Sequence, residues 1–145
     1  MRLILTDVYQ QIRMIVYQHE VETGVTLFGV KDGEDFKVSH VCGPGPKASH
    51  EQYGYSGDDD YSTLVYETLL KDHSDLKHLG ELHVHPFGMK NMSSTDRETV
   101  KKVLETYEEF IAGVMLRTRS PLEVKFYPMY FSRNTEEKME VVACC

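Results

Sequence analysis

The chain has 145 residues, 41% of them hydrophobic, 27% charged and 10% aromatic. A chain of that length forms one domain and can bury roughly two thirds of its unfolded surface, and the mixture excludes a disordered, collagen-like or coiled-coil protein. With 16 Lys and Arg against 23 Asp and Glu, the net charge is −7; without a basic stripe, this argues against a nucleic-acid partner and against attraction to an anionic membrane.

Residues 1–5 are a short apolar start. Thr6 and Asp7 are capping residue types, and Val8, Ile12, Ile15 and Val16 recur at helical spacing, which predicts a helix over residues 7–20. A β-rich run, Val25–Val30, leads into Lys31-Asp32-Gly33-Glu34. Asp-Gly is a strong hairpin signal, so Phe36–Cys42 is the expected return strand, with Phe36, Val38, His40 and Cys42 on one face. Residues 43–60 read as a long loop, opened by Gly43-Pro44-Gly45-Pro46 and carrying Tyr53, Tyr55 and the aspartates 58–60. A helix over 61–72 should turn Leu64, Val65, Thr68 and Leu69 inward. A strand follows over 76–84.

Thr95 and Glu98 have capping-box spacing. They open a predicted helix over 96–109 that buries Val100, Val103, Leu104 and Tyr107. Phe110–Leu116 is an apolar strand. A turn over 117–121 and a last strand over 124–131, disturbed by Pro128, follow. This order predicts a single mixed α/β domain over residues 1–145, a mixed β-sheet flanked by helices, with a polar tail from about residue 132.

Cys42, Cys144 and Cys145 make no disulfide framework, and no Cys-x-x-Cys pair is present. No stretch approaches the roughly 18 apolar residues of a membrane span. The first residues lack a signal-peptide pattern, since Asp7, Gln10 and Gln11 interrupt them. A cytoplasmic protein is the expectation.

The chemistry concentrates in His83-Val84-His85 and Asp96. Residues i and i+2 of a strand share a face, so both imidazoles can converge on one ion. Asp96 lies in the first turn of the following helix, where a carboxylate stays ionised. Two nitrogens and one oxygen form a normal catalytic zinc set with a position left open. Glu22, between the first helix and the first long strand, has the carboxylate that proton transfer at such a site needs. Ser93 could stabilise an oxyanion. Each piece also has a plain structural reading: an exposed strand end, a helix-start aspartate, a solvated glutamate and a capping serine.

Taken together, Glu22, His83-x-His85-Pro86, and Ser93-x-x-Asp96 after an intervening run resemble the JAB/MPN motif of JAMM metallopeptidases. The stretches 22–29, 43–48 and 110–114 are similar to that family's segments around its catalytic glutamate, in its short prokaryotic members, and after its metal-bearing helix. The resemblance covers about residues 6–131. It implies the JAB/MPN fold, related to the cytidine-deaminase core. It implies one Zn2+ per chain on His83, His85 and Asp96, with Glu22 as general base and acid and Ser93 stabilising the tetrahedral intermediate. The implied activity is cleavage after the C-terminal glycine of a ubiquitin-like protein or its conjugate, by Glu-assisted attack of zinc-bound water. Partners would be that modifier and, in some systems including antiviral ones, E1-like and E2-like proteins. A catalytically silent binding or scaffold module and a peptidase for small peptides such as cell-wall stems are the alternatives. Val84 departs from the small or hydroxyl residue frequent there, and Val25 from a second glycine. No long insertion follows Asp96, which favours a simpler substrate than linkage-specific polyubiquitin.

Overall fold

The computed structural model describes residues 1–19, 22–51, 54–86, 88–118 and 122–143. Tyr53, Cys144, Cys145 and the 119–121 part of the expected turn lie outside the described residues. The elements are β1 (Arg2–Ile4), α1 (Tyr9–Tyr17), β2 (Gly24–Asp32), β3 (Asp35–Cys42), β4 (Ser49–Glu51), β5 (Gly54–Ser56), α2 (Asp59–Leu70), β6 (Lys77–Val84), α3 (Ser94–Val103), β7 (Glu109–Arg117), β8 (Val124–Ser132), β9 (Glu136–Lys138) and β10 (Glu140–Val142).

Eight strands form one mixed sheet in the order β10-β1-β3-β2-β6-β7-β8-β9, and β4-β5 is a separate hairpin. Strands β1 and β3, β1 and β10, and β6 and β7 run parallel; the other neighbours are antiparallel. The two edge strands, β9 and β10, are separated in sequence only by Met139, so the two ends of the sheet are drawn together and the sheet is nearly closed. Inside it, Ile12 and Val16 of α1, with Val8 just before the helix, pack with Leu27, Leu82, Ile111 and Met139 in the main apolar core. On the opposite face, α2 packs over Phe28, Cys42 and Leu76, and α3 over Phe110, Ala112 and Phe131. Among the described residues no helix is long and apolar enough to cross a membrane.

Several expectations shift. The apolar start is strand β1, paired with β3, and the expected polar tail contains β9 and β10, which close the sheet. Each strand is three residues long, too short for its periodicity to announce it; β1 and β10 become strands by pairing with segments distant in sequence, and β9 by folding back on β8. Helix α1 is capped at Val8 without a side-chain bond, not at Thr6 or Asp7. The hairpin loop is Gly33-Glu34, one residue later than the Asp-Gly reading, since Asp32 pairs with Asp35. Gly33 has φ 62°, and among the described residues no non-glycine residue has positive φ, which fits a type II′ turn.

Phe36 and Val38 pack in the main core, but Cys42 packs on the other face with Phe28. The register slips at Ser39, since Phe28 pairs with His40 and Gly29 with Val38, and this bulge inverts the faces beyond it. In α2 the inward stripe is Val65, Tyr66, Leu69 and Leu70, while Leu64 is 61% exposed. Tyr66 turns inward because its ring stacks on Phe28 at 5.4 Å. Helix α3 stops at Val103, six residues short of the expected end, and Tyr107 is 39% exposed. The chain must be extended from Glu109, which pairs with Ser132.

Candidate metal centre

Strand β6 lies between β2 and β7 in the middle of the sheet. Its alternation sends Leu82 and Val84 into the α1 core and His83 to the other face, into the gap between α2 and α3. Val84, at 1% exposure, thus points away from the histidines. His85 follows the strand's last residue and remains tied to β7 through its N–H, which donates to the Met115 carbonyl at 3.1 Å. The two imidazoles therefore project along one face, as the His-x-His spacing requires.

Asp96 reaches them from the first turn of α3. That turn is fixed by a capping box: the Asp96 N–H donates to Ser93 Oγ at 3.1 Å, and the Ser93 N–H donates to Asp96 Oδ2 at 2.8 Å. The expected Thr95–Glu98 box is thus replaced by Ser93–Asp96, two residues earlier, because the chain turns helical at Ser94. The capping oxygen of Asp96 is also the one that faces the histidines.

Three ligand atoms then stand close together. His83 Nε2 is 2.8 Å from His85 Nε2, and Asp96 Oδ2 is 3.3 Å and 3.1 Å from the two nitrogens. Two ligand atoms at zinc-bond length on a tetrahedral ion are separated by about 3.3 Å, so the triangle has the size of one face of such a site. The protonation chemistry agrees. His85 Nδ1 lies 3.0 Å from the Met89 carbonyl, which can only accept, so the ring proton sits on Nδ1 and the Nε2 lone pair faces Asp96 Oδ2. A proton or a cation must sit between two such lone pairs. Burial alone would push the Asp96 carboxyl up, but hydrogen bonds from His83 and His85 and the Ser93 N–H hold it well below the usual carboxylate range. The Asp96 hydrogen bond raises His85, against the effect of burial. This donor set fits a divalent ion.

Glu22 precedes β2. The Thr23 carbonyl accepts the Val84 N–H at 2.8 Å and Gly24 pairs with His83, which carries Glu22 alongside the histidines. Glu22 is 6% exposed, and its carboxylate, with ligand atoms of His83 and His85, falls within 4.8 Å. Glu22, His83 and His85 therefore form a second triad that could hold a metal, sharing both imidazoles with the first. The Asp96 oxygen lies at direct-ligand spacing. Glu22 lies within 4.8 Å of both imidazoles, close enough to act on a group held by the same ion. Burial raises its pKa, partly offset by His85 and His83, which suits a proton acceptor working near neutral pH.

The 43–60 segment, read as a loop, contains the β4–β5 hairpin and forms one wall of the site. His50 Nδ1 donates to the Glu22 carbonyl at 3.1 Å and its ring stacks on His19 at 4.0 Å. The Tyr55 ring lies on Gly24, where a Cβ would come within 2.5 Å of Tyr55 Cε2. Arg117 donates to the Val16 and His19 carbonyls, fixing the end of α1. Asp58 caps α2 by accepting the Tyr61 N–H. None of these supporting residues except Tyr55 and Asp58 carried a signal in the sequence, because their partners are far away along the chain.

All five expected residues, Glu22, His83, His85, Ser93 and Asp96, line one cavity of about 510 Å³. One further residue lining it was missed. Glu81, two before His83 on β6, opens into the cavity; the surrounding walls and, secondarily, Asp59 raise its pKa. The available signal was the period of two, which puts a charged side chain beside His83 on a strand with an otherwise apolar setting.

No protein-family model and no curated protein sequence matches the chain. Its fold is similar to the solution structure of a protein from Desulfitobacterium hafniense, with a TM-score of 0.69 and 17% identity over 99% of this chain and 93% of that one. It is also similar to the solution structure of a protein from Salinibacter ruber, with a TM-score of 0.63 and 19% identity over 99% of this chain and 92% of the other. At these identities the likeness establishes a shared mixed α/β fold spanning nearly the whole of each chain; in this chain it is a large, nearly closed mixed sheet with three helices among the described residues.

Proposed function

We propose that the chain is a JAB/MPN-type zinc peptidase or isopeptidase that cleaves after the C-terminal glycine of a ubiquitin-like protein. The observation that carries this reading is the convergence of His83 Nε2, His85 Nε2 and Asp96 Oδ2 within 3.3 Å of one another, with buried Glu22 beside them. His83, His85 and Asp96 would hold the ion. Zinc, when bound, supplies a Lewis acid and lowers the pKa of a water to about 7.

The chain's own residues supply the rest. Glu22 accepts a proton from the attacking water and returns it to the departing amine, a role helped by a burial-raised pKa. Ser93 Oγ accepts the Asp96 N–H, which leaves its own O–H proton to donate toward an oxyanion in the cavity. The β4–β5 hairpin holds the Glu22 backbone through His50, keeping the base from drifting. The gap between α2 and α3 is open to an extended substrate tail, in which glycine at the cut position avoids a side-chain clash with the crowded ligands.

The test is cleavage of a panel of ubiquitin-like fusions ending in glycine, with peptidoglycan fragments alongside, by zinc-loaded protein. Cleavage at the glycine that Glu22→Gln abolishes supports the proposal. Cleavage of the cell-wall fragments alone would replace it with the small-peptide reading. Near one zinc per chain without any cleavage would leave a binding module.

A further inference from the structure

Three pairs of histidines bring their rings together among the described residues, and the angle between the rings sorts them. His83 and His85 of the metal centre have centroids 4.6 Å apart and planes crossed at 65°. His19 and His50 stack at 4.0 Å and 10°. His40 and His73 lie 4.7 Å apart at 51°. An imidazole nitrogen binds a metal through a lone pair that lies in the ring plane. Two rings therefore share an ion only where their planes intersect, which excludes the nearly parallel stack of His19 and His50. Two imidazoles at zinc-bond length on a tetrahedral ion put their centroids about 5 Å apart. His40 and His73 have that separation and crossed planes, as His83 and His85 do.

The fold builds this meeting. Without the bulge at Ser39, His40 would share the core face with Phe36 and Val38. With it, His40 pairs with Phe28, on the face that α2 covers. Ser39 Oγ lies 2.9 Å from His40 Nδ1. With the ring proton on Nδ1 and donated to that oxygen, Nε2 keeps its lone pair, and the ring is oriented as a metal ligand is. His73 stands three residues past the end of α2, in a turn fixed from both sides. Its N–H donates to the Leu69 carbonyl at 3.0 Å, and its own carbonyl accepts the Leu76 N–H at 3.1 Å. His40 is half-buried and His73 exposed, so an ion can reach the pair from solvent.

The helix that His73 follows is lightly held. No residue of α2 is fully buried; it rests on Phe28, Cys42 and Leu76 through half-buried side chains such as Val65 and Leu69. An ion bound from both sides would add a clamp between this helix and the sheet.

We propose that His40 and His73 form a second divalent-metal site, separate from the His83, His85 and Asp96 centre, that ties the end of α2 to β3. Its ligand is Zn2+ or another late first-row ion suited to imidazole, with water completing the coordination. Two protein ligands bind more weakly than the three of the metal centre, so the site fills only when zinc is added. Because residues at the start of α2 line the cavity, the ion would also steady one of its walls.

The test titrates zinc into the full chain as purified, by isothermal titration calorimetry, and follows Tm over the same zinc range. The native chain should take up one further zinc per chain, and its Tm should rise with it. His40→Ala and His73→Ala should each lose that step and the rise in Tm, while keeping the zinc already bound and the native circular dichroism. His73 is exposed, so its variant tests the site without disturbing the core. Ser39→Ala should weaken the added step by about tenfold. No uptake of added zinc by the native chain, a step that both histidine variants retain, or half an equivalent per chain with dimers in sedimentation overturns the proposal. The peptidase reading is judged apart from this, by Glu22-dependent cleavage, and its failure leaves the second site standing.

Discussion

Ser93 and Asp96 hold each other through two reciprocal hydrogen bonds, and the same Asp96 Oδ2 lies 3.1 Å from His85 Nε2. A helix cap is thus also the support of a ligand. Ser93→Ala removes the capping oxygen but keeps the backbone N–H that orients Asp96. It should lower stability by about 1 kcal/mol and weaken zinc binding by about tenfold. Ser93→Thr, which keeps the cap, should restore both. Denaturant unfolding and competitive zinc titration measure the two effects.

The metal set has a direct test. The native chain purified without added metal should carry close to one zinc. His83→Ala, His85→Ala and Asp96→Ala should each lose it, since every variant removes one corner of the triangle of 2.8, 3.1 and 3.3 Å. Elemental analysis of the four proteins reads this. A native level retained in all three variants would show that the ion sits elsewhere.

Glu22→Gln separates base from ligand. A base can be replaced by the isosteric amide without loss of zinc, and kcat should fall by about 100-fold or more. If Glu22 were instead the third ligand of the second triad, zinc content would fall with activity. The measurement is zinc per chain and initial rate on the same sample.

Gly24 carries the Tyr55 ring against its Cα. In Gly24→Ala the new methyl would meet Tyr55 Cε2 at 2.5 Å, and the hairpin must shift. The expected cost is about 1–3 kcal/mol. Because the clash needs both partners, Gly24→Ala in a Tyr55→Ala background should cost clearly less than in the native chain, a coupling that a double-mutant cycle in denaturant resolves.

His78 sets a pH dependence away from the metal centre. Its half-buried ring packs among Phe28, Tyr66, Tyr107 and Phe110, and its buried Nε2 has no partner. Burial lowers its pKa from 6.5, with a smaller opposing effect of Asp59. The unfolded state therefore binds the proton first. Its contribution is complete above about pH 6.5 and is lost as the pH falls toward the lowered folded value. His78→Phe removes this titration, so its Tm should decline less than the native chain's between about pH 7 and 5. Parallel declines would show that His78 is not the group responsible.

The sequence by itself determined the elements whose side chains repeat at a regular local period. Helix α1, the β2–β3 hairpin, β6, β7 and β8 all follow from their apolar spacing, and His83 and His85 share a face because strand geometry leaves no alternative. It also determined that Asp96 begins a helix, since capping chemistry acts within four residues. The tertiary structure decided what depends on partners distant along the chain. Pairing to β3, to β8 and to β1 makes strands of residues 2–4, 136–138 and 140–142 respectively. The bulge at Ser39 inverts the face of Cys42, and the Phe28 ring draws Tyr66 inward to rotate the stripe of α2. Docking of α3 over β7 brings Asp96 to the histidines, the Thr23–Val84 bond brings Glu22, and the gap between α2 and α3 leaves Glu81 open. Local rules read covalent neighbours; these contacts form only when the apolar faces of separate elements are buried against one another.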